Sequence, residues 1–280
     1  MEKATLARII PGKFDMSDPA REKDQINRSL ADDLVGDVNI AALRVLCLGN
    51  HATSMCESLA LVNIGRVHRM WHVAAAGDRA LLVTLGRSIG PKVLGEVLAL
   101  DRVLKDRRPK GLLSTVPAYA SLLCRYDPAV TDAAHLAVSI RKFEGRVDGS
   151  IPSGHIVDVP TRYDGPDLSD VALKTNMTPA GVIDAHAGRE YLVYCIGFAP
   201  GFTYCGALAD QLVVPRLASP RLRVPAGSIG IAGRQTGIYA VESPGGWNLI
   251  GRTSLSLFDP AADPPARFKA GDRLRFVPAS

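Results

Sequence analysis

Apolar and polar positions fall into regular periods only from Met70 onward. Before that point, polar turn material (PGKFDMSDPAREKDQ) alternates with short apolar bursts (ALRVLCLGN, ESLALVNIG) that hold neither a helical nor a strand period. Residues 1–69 are therefore left as an unassigned leader. They are either an upstream extension of the reading frame, with Met70 the native start, or a natural flexible leader.

Beyond Met70 the elements can be read in order. His72–Ala75 and Ala80–Leu85 are strands joined at the turn-forming pair Gly77-Asp78. Pro91 suits the first position of a helix, and Val93, Val97, Leu100 and Leu104, with Leu94 and Leu98 beside them, make an apolar stripe at helical spacing. Pro109 and Gly111 end it. Leu112–Val116 and Ser121–Tyr126 are strands around a Pro117-Ala118-Tyr119 turn, and Thr131–Phe143 reads as a second helix. A returning strand near Ile156–Val159 completes the order of a ferredoxin-like unit over 70–148.

The glycine- and serine-rich stretch GRVDGSIPSG reads as a linker. Two short helices follow. One starts at Pro166; the other has Thr178 as N-cap and Pro179 at its first position, and Gly188 stops it. Tyr191–Ile196 is a strand, and the turn-punctuated short strands after it argue for a barrel or sandwich over 149–280. The fold class is α+β in two domains.

Composition narrows the function classes. An apolar share of 47% and a charged share of 22% are those of a folded globular chain. No apolar run reaches the ~18–20 residues that cross a bilayer, and the N-terminus has no secretory apolar core. Residues 1–69 hold nine Lys/Arg and nine Asp/Glu, so the net charge of +5 lies wholly beyond them. Without a basic run interleaved with aromatics, nucleic acid is not an expected partner, and neither is a membrane. Five cysteines without CxxC spacing fit reduced thiols and a cytoplasmic address.

Two segments carry candidate chemistry. GFAPGFTYCG, Gly197–Gly206, directly follows a strand, and its phenyl rings suit either the wall of a small-molecule pocket or a loop pinned by core phenylalanines. Arg221–Thr253 supplies Arg223, Gln235, Tyr239, Glu242 and Trp247. Between Gly197 and Pro260 five arginines (Arg216, Arg221, Arg223, Arg234, Arg252) face three acids (Asp210, Glu242, Asp259), an excess suited to an anionic ligand. His186, in the last turn of its helix, is either a cation favoured by the helix dipole or a proton carrier. His186 and Glu242 are the candidate catalytic groups. Phosphate-loop, nucleophile-elbow, zinc-helix and Met-Lys-Met biotin-attachment motifs are missing from the sequence, so no metal or biotin is expected on this chain.

GFAPGFTYCG, SPRLRVPAGSIGIAGRQTGIYAVESPGGWNLIGRT and the closing FDP…FKAGDRLRF together resemble one family. It is known as the 5-oxoprolinase B-subunit family, the allophanate hydrolase subunit 1 family or the sporulation-kinase inhibitor family. Its module also forms half of the carboxyltransferase domain of urea carboxylase. The resemblance runs from about Trp71 to Phe276, and residues 1–69 take no part in it. Cys205 stands where family members usually carry leucine, and the loop before DGPDL is short. The resemblance implies a ferredoxin-like N-terminal domain followed by a cyclophilin-like β-barrel. It also implies two partners, the 5-oxoprolinase A and C subunits, and ATP-dependent opening of 5-oxoproline to glutamate by the complex. Phe198, Pro200, Gly201, Phe202, Gln235, Tyr239, Glu242 and Trp247 lie in the matching blocks, with His186 in the preceding helix. Other members imply two further readings: inhibition of a sensor histidine kinase, or the carboxyltransferase part of a biotin-dependent urea or amide carboxylase.

Overall fold

The computed structural model describes residues 70–151 and 156–279, both within one unit of the chain that spans Asn39–Ser280. The leader expected over 1–69 lies outside the described residues, as do residues 152–155, which take in the end of the linker.

β1 (His72–Ala75) and β2 (Ala80–Thr84) form the expected hairpin, with His72 opposite Thr84. α1 (Pro91–Arg107) follows, and its stripe is core: Val93, Leu94, Val97, Leu100 and Leu104 are buried. β3 (Leu112–Ala118) and β4 (Ser121–Tyr126) are antiparallel. Pro117 lies inside β3 rather than in the turn, which is confined to Tyr119 and Ala120, with Tyr119 at a φ of 43°. A proline is tolerated there because β3 is nearly an edge strand, paired on its outer side, among the described residues, only where Ala118 meets Cys195. α2 (Ala133–Arg141) is shorter than expected because Asp132 caps it, accepting a 2.8 Å bond from the backbone N–H of His135.

The remaining elements are β5 (Ile156–Thr161), α3 (Leu168–Lys174), α4 (Pro179–Ala187), β6 (Glu190–Ile196), β7 (Thr203–Gly206), β8 (Arg221–Val224), β9 (Ser228–Ala232), β10 (Gln235–Ile238), β11 (Ser243–Gly245), β12 (Asn248–Arg252) and β13 (Arg273–Pro278). The result is a mixed α/β architecture around one large, mainly antiparallel sheet, in which 11 strands are joined. Its main path runs β1-β2-β4-β3-β6-β7-β10-β9-β12, while β8 and β11 form a separate ribbon.

One expected strand goes elsewhere. β5 does not return beside β2; it pairs in parallel with β13, and β1 occupies the place next to β2. A hairpin across one short turn closes at little entropic cost, whereas β5 gains burial of Val159 among Tyr191, Leu274 and Phe276 of the second half. β13 also pairs with β6, and an isolated bridge between Arg162 and Arg252 brings the end of β5 against the end of β12.

The linker is held against α1 at one helical residue. A Cβ on Gly95 would lie 1.8 Å from the carbonyl oxygen of Gly149, so only glycine admits that approach. In an ordinary helix interior, Gly to Ala stabilises by about 1 kcal/mol. Gly95→Ala is expected to do the opposite, losing about 1–3 kcal/mol through overpacking, as read by urea unfolding. A stabilised variant would mean the linker moves aside freely.

Candidate functional site

The chain leaves β6 into a tight loop. The N–H of Gly197 donates to the carbonyl of Phe202 (3.1 Å), and the N–H of Phe202 donates to that of Ala199 (3.0 Å). Closing so few residues demands left-handed backbone at Phe198 (φ 73°) and Gly201 (φ 74°). At Gly201 a Cβ would also lie 2.8 Å from Cβ of Phe258 and 2.9 Å from that of Ala240, so the second glycine of GFAPGF is a packing requirement. A phenylalanine in left-handed backbone is strained, the kind of conformation that clusters at functional sites. Phe198 is 39% exposed, whereas Phe202 is 2% exposed. Residues Ile196 to Gly201, including Pro200, line a shallow depression of about 340 Å³.

The two phenylalanines thus divide the two roles weighed for them. Phe202 is a core residue. Its ring meets Tyr204 at 4.5 Å, Tyr239 at 4.8 Å and Trp247 at 5.6 Å, while Phe198 lies edge-on to it at 5.6 Å from the surface. These rings occupy the face of the β7–β10–β9 sheet opposite the main core, because Thr236 and Ile238 of β10 point into the core and Gln235 points away from it.

Gln235 stands at the far end of this aromatic face. Its Nε2 donates to the Tyr119 hydroxyl at 2.7 Å, tying β10 to the turn between β3 and β4. The Tyr119 ring stacks on Tyr194 (5.9 Å, 12°) and meets Tyr204 edge-on at 6.0 Å. Burial pushes its phenol well above the usual range, so the hydroxyl stays protonated. A continuous run of rings thus links Phe198, Phe202, Tyr204 and Tyr119, with Tyr239 and Trp247 at its side. Tyr119, Tyr194 and Tyr204 were not among the expected site residues. Tyr204 was accessible from the strand period, two residues after Phe202; Tyr119 was not, since its position depends on the pairing of Ala118 with Cys195.

The charged candidates are placed elsewhere. Arg223 and Glu242 form an exposed ion pair beside the β8–β11 ribbon, Nε to Oε1 2.9 Å. Arg221 donates to Asp167 at 2.6 Å, Arg252 to Asp164 at 2.8 Å, and Arg234 pairs with Asp210. Of the five arginines, Arg216 is the one without an ion pair among the described residues. The excess expected to attract an anion is therefore largely spent on internal pairs, most of them exposed and weak.

His186 is inside the core. It is fully buried, its ring 4.5 Å from Phe276 and 5.3 Å from Tyr191. Nε2 lies 2.8 Å from Oγ1 of Thr236, and Nδ1 lies 2.8 Å from the hydroxyl of Tyr163. The Thr236 hydroxyl donates its one hydrogen to the carbonyl of Gly230, so it accepts from Nε2–H, and Nδ1 accepts from Tyr163. Burial pulls the imidazole down to about 3. The helix C-terminus favours a cation, but desolvation wins, and His186 is a neutral core group out of reach of a substrate. Cys124 and Cys195 are free and buried, their thiols pushed up to about 12 mainly by burial, and Cys205 is raised in the same way. Among the described residues no three of His, Cys, Asp and Glu gather as metal ligands, and no helix is long and apolar enough to cross a membrane.

The model of the carboxyltransferase domain, subdomain C and D, matches residues 71–268, which takes in both halves of the large sheet. The chain belongs to this family. It is 37% identical over 222 residues to the 5-oxoprolinase B subunit of Bacillus subtilis (strain 168), covering 74% of this chain and 92% of that protein. The crystal structure of TTHA0988 superposes with a TM-score of 0.65 at 36% identity, over 72% of this chain and 40% of that one. The urea carboxylase of Kluyveromyces lactis matches with a TM-score of 0.61 over 75% of this chain and 22% of its own length; at 17% identity that likeness is one of fold alone.

Proposed function

We propose that this chain is the B-type component of a 5-oxoprolinase complex. With the A and C subunits it opens 5-oxo-L-proline to L-glutamate at the expense of ATP, and it is inactive alone. The observation that carries this reading is the 37% identity to the 5-oxoprolinase B subunit of Bacillus subtilis across 92% of that protein. The aromatic face is its contribution to the substrate site: Phe198 and Gln235 are the accessible groups, Phe202, Tyr239 and Trp247 back them from the core, and Pro200 and Gly201 shape the loop at one end. The candidate acid and base are both engaged, Glu242 by Arg223 and His186 by Tyr163 and Thr236. That supports an active surface completed by a partner. The chain holds neither metal nor biotin of its own in this reading and works in the cytoplasm, where its buried free thiols stay reduced.

For the architecture, we read the first half as ferredoxin-like and the second as a cyclophilin-like barrel, dividing near residues 148 and 149. What supports the first is the succession β2, α1, β3, β4, α2 with β4 between β2 and β3, and with β1 standing in for the final strand. What supports the second is the circuit of pairings from β6 through β7, β10, β9 and β12, across the Arg162–Arg252 bridge to β5, then β13 and back to β6.

The test is ATP-dependent glutamate release from 5-oxoproline by this chain co-expressed with the A and C subunits. Omitting the chain is expected to abolish it. Phe198→Ala and Gln235→Ala are each expected to lower it about tenfold or more through lost substrate positioning, with assembly intact. Activity that persists without the chain would sink the proposal. A second reading, carboxyl transfer in a biotin-dependent urea or amide carboxylase, is favoured by the family to which the chain belongs. It would show as bicarbonate- and biotin-dependent consumption of urea with a biotin carboxylase partner.

A further inference from the structure

A second site lies away from the aromatic face. Between α1, the outer side of β3 and the segment 266–272 is a cleft of about 990 Å³, the upper end of the range for small-molecule sites. Its apolar walls include Leu98 from the helix, Val116 and Pro117 from the strand, and Phe268 from the segment. Val116 is 41% exposed there, and among the described residues β3 has no pairing partner along this side before Ala118.

The polar lining is asymmetric. Asp101 is buried and satisfied twice, by Nζ of Lys105 at 2.7 Å and by the hydroxyl of Thr115. Asp272 accepts from the backbone N–H of Lys269 at 2.9 Å. Both acids thus have internal partners. Arg102 and Arg267 also line the cleft, and no hydrogen bond or ion pair engages either guanidinium among the described residues. An apolar trough flanked by two unspent guanidinium groups has a definite complement.

We propose that this cleft binds a small amphipathic anion, an aromatic or aliphatic body ending in a carboxylate, sulfonate or phosphate. The body lies on Leu98, Val116, Pro117 and Phe268, and the anionic end takes charge-assisted hydrogen bonds from Arg102 and Arg267. This does not depend on the 5-oxoprolinase reading, since none of these residues belongs to the aromatic face.

Anilinonaphthalene sulfonate is a suitable probe, because it joins an apolar body to one fixed negative charge and its fluorescence rises on leaving water. Titrated into the full chain, it is expected to bind at one saturable site. The double variant Arg102→Gln/Arg267→Gln is expected to weaken binding about tenfold or more. Val116→Asp is expected to weaken it by a similar factor, and Arg79→Gln, outside the cleft, to leave it unchanged. Uncharged N-phenylnaphthylamine is expected to bind more weakly and to ignore the arginine changes. All these positions are exposed, so thermal midpoints should match the parent and separate lost binding from lost fold. Equal sulfonate affinity in the parent and the double variant would overturn the proposal, as would undiminished binding by Val116→Asp.

Discussion

Replacing His186 with alanine is expected to lower the unfolding free energy by about 3–5 kcal/mol, from a cavity in the core and from a Tyr163 hydroxyl left without its acceptor. The imidazole fills space between Tyr191 and Phe276, and it satisfies both Tyr163 and Thr236. The same residue sets a pH dependence. In the folded chain it stays neutral down to about 3, whereas in the unfolded chain it protonates near the ordinary value of 6.5. Between those values the unfolded state binds more protons, so stability is complete above the unfolded pKa and falls as the pH drops through it. From pH 7 to pH 5 the loss from this one group is about 2 kcal/mol. Urea unfolding at the two pH values measures it, and His186→Gln, which cannot titrate, should remove that share of the slope. An unchanged slope would mean that the imidazole takes up a proton without unfolding.

The second large effect separates the two phenylalanines of GFAPGF. Phe202→Ala is expected to cost about 3–5 kcal/mol, since its ring is enclosed by Tyr204, Tyr239 and Trp247. Phe198→Ala, four residues earlier and on the surface, should stay within about 1 kcal/mol. Denaturant midpoints of the two variants decide it. Similar losses at both positions would mean that Phe198 is as much a packing residue as Phe202. The contrast matters for function, because a Phe202 variant inactive in the complex has two explanations, and a stable Phe198 variant inactive in the complex has one.

Local chemistry was legible in the residues. The helix stripe from Val93 to Leu104, the cap at Thr178 and the β1–β2 hairpin follow from spacing and side-chain type over a few positions. The blocks around Gly197–Gly206 and Arg221–Thr253 were enough to place the chain in its family. They also singled out Phe198, Phe202, Tyr239 and Trp247, which the structure brings together on one face. Pairing at a distance was not legible. Whether β5 joined β2 or β13 depended on which partner buried Val159, and a strand of six residues carries no mark of that choice. The Gln235–Tyr119 bond spans 116 residues and exists only because β3 meets β6 at Ala118. The balance of charge was likewise a tertiary outcome. Counting showed five arginines against three acids, yet Asp164 and Asp167, outside the counted stretch, engage two of them. His186 shows the same limit most directly: its place at a helix end argued for a cation, and the sequence could not tell that Thr236, Tyr163, Tyr191 and Phe276 would close over it. Helix position acts over one turn of chain, while desolvation is set by everything that packs around a group, and only the folded chain brings those neighbours together.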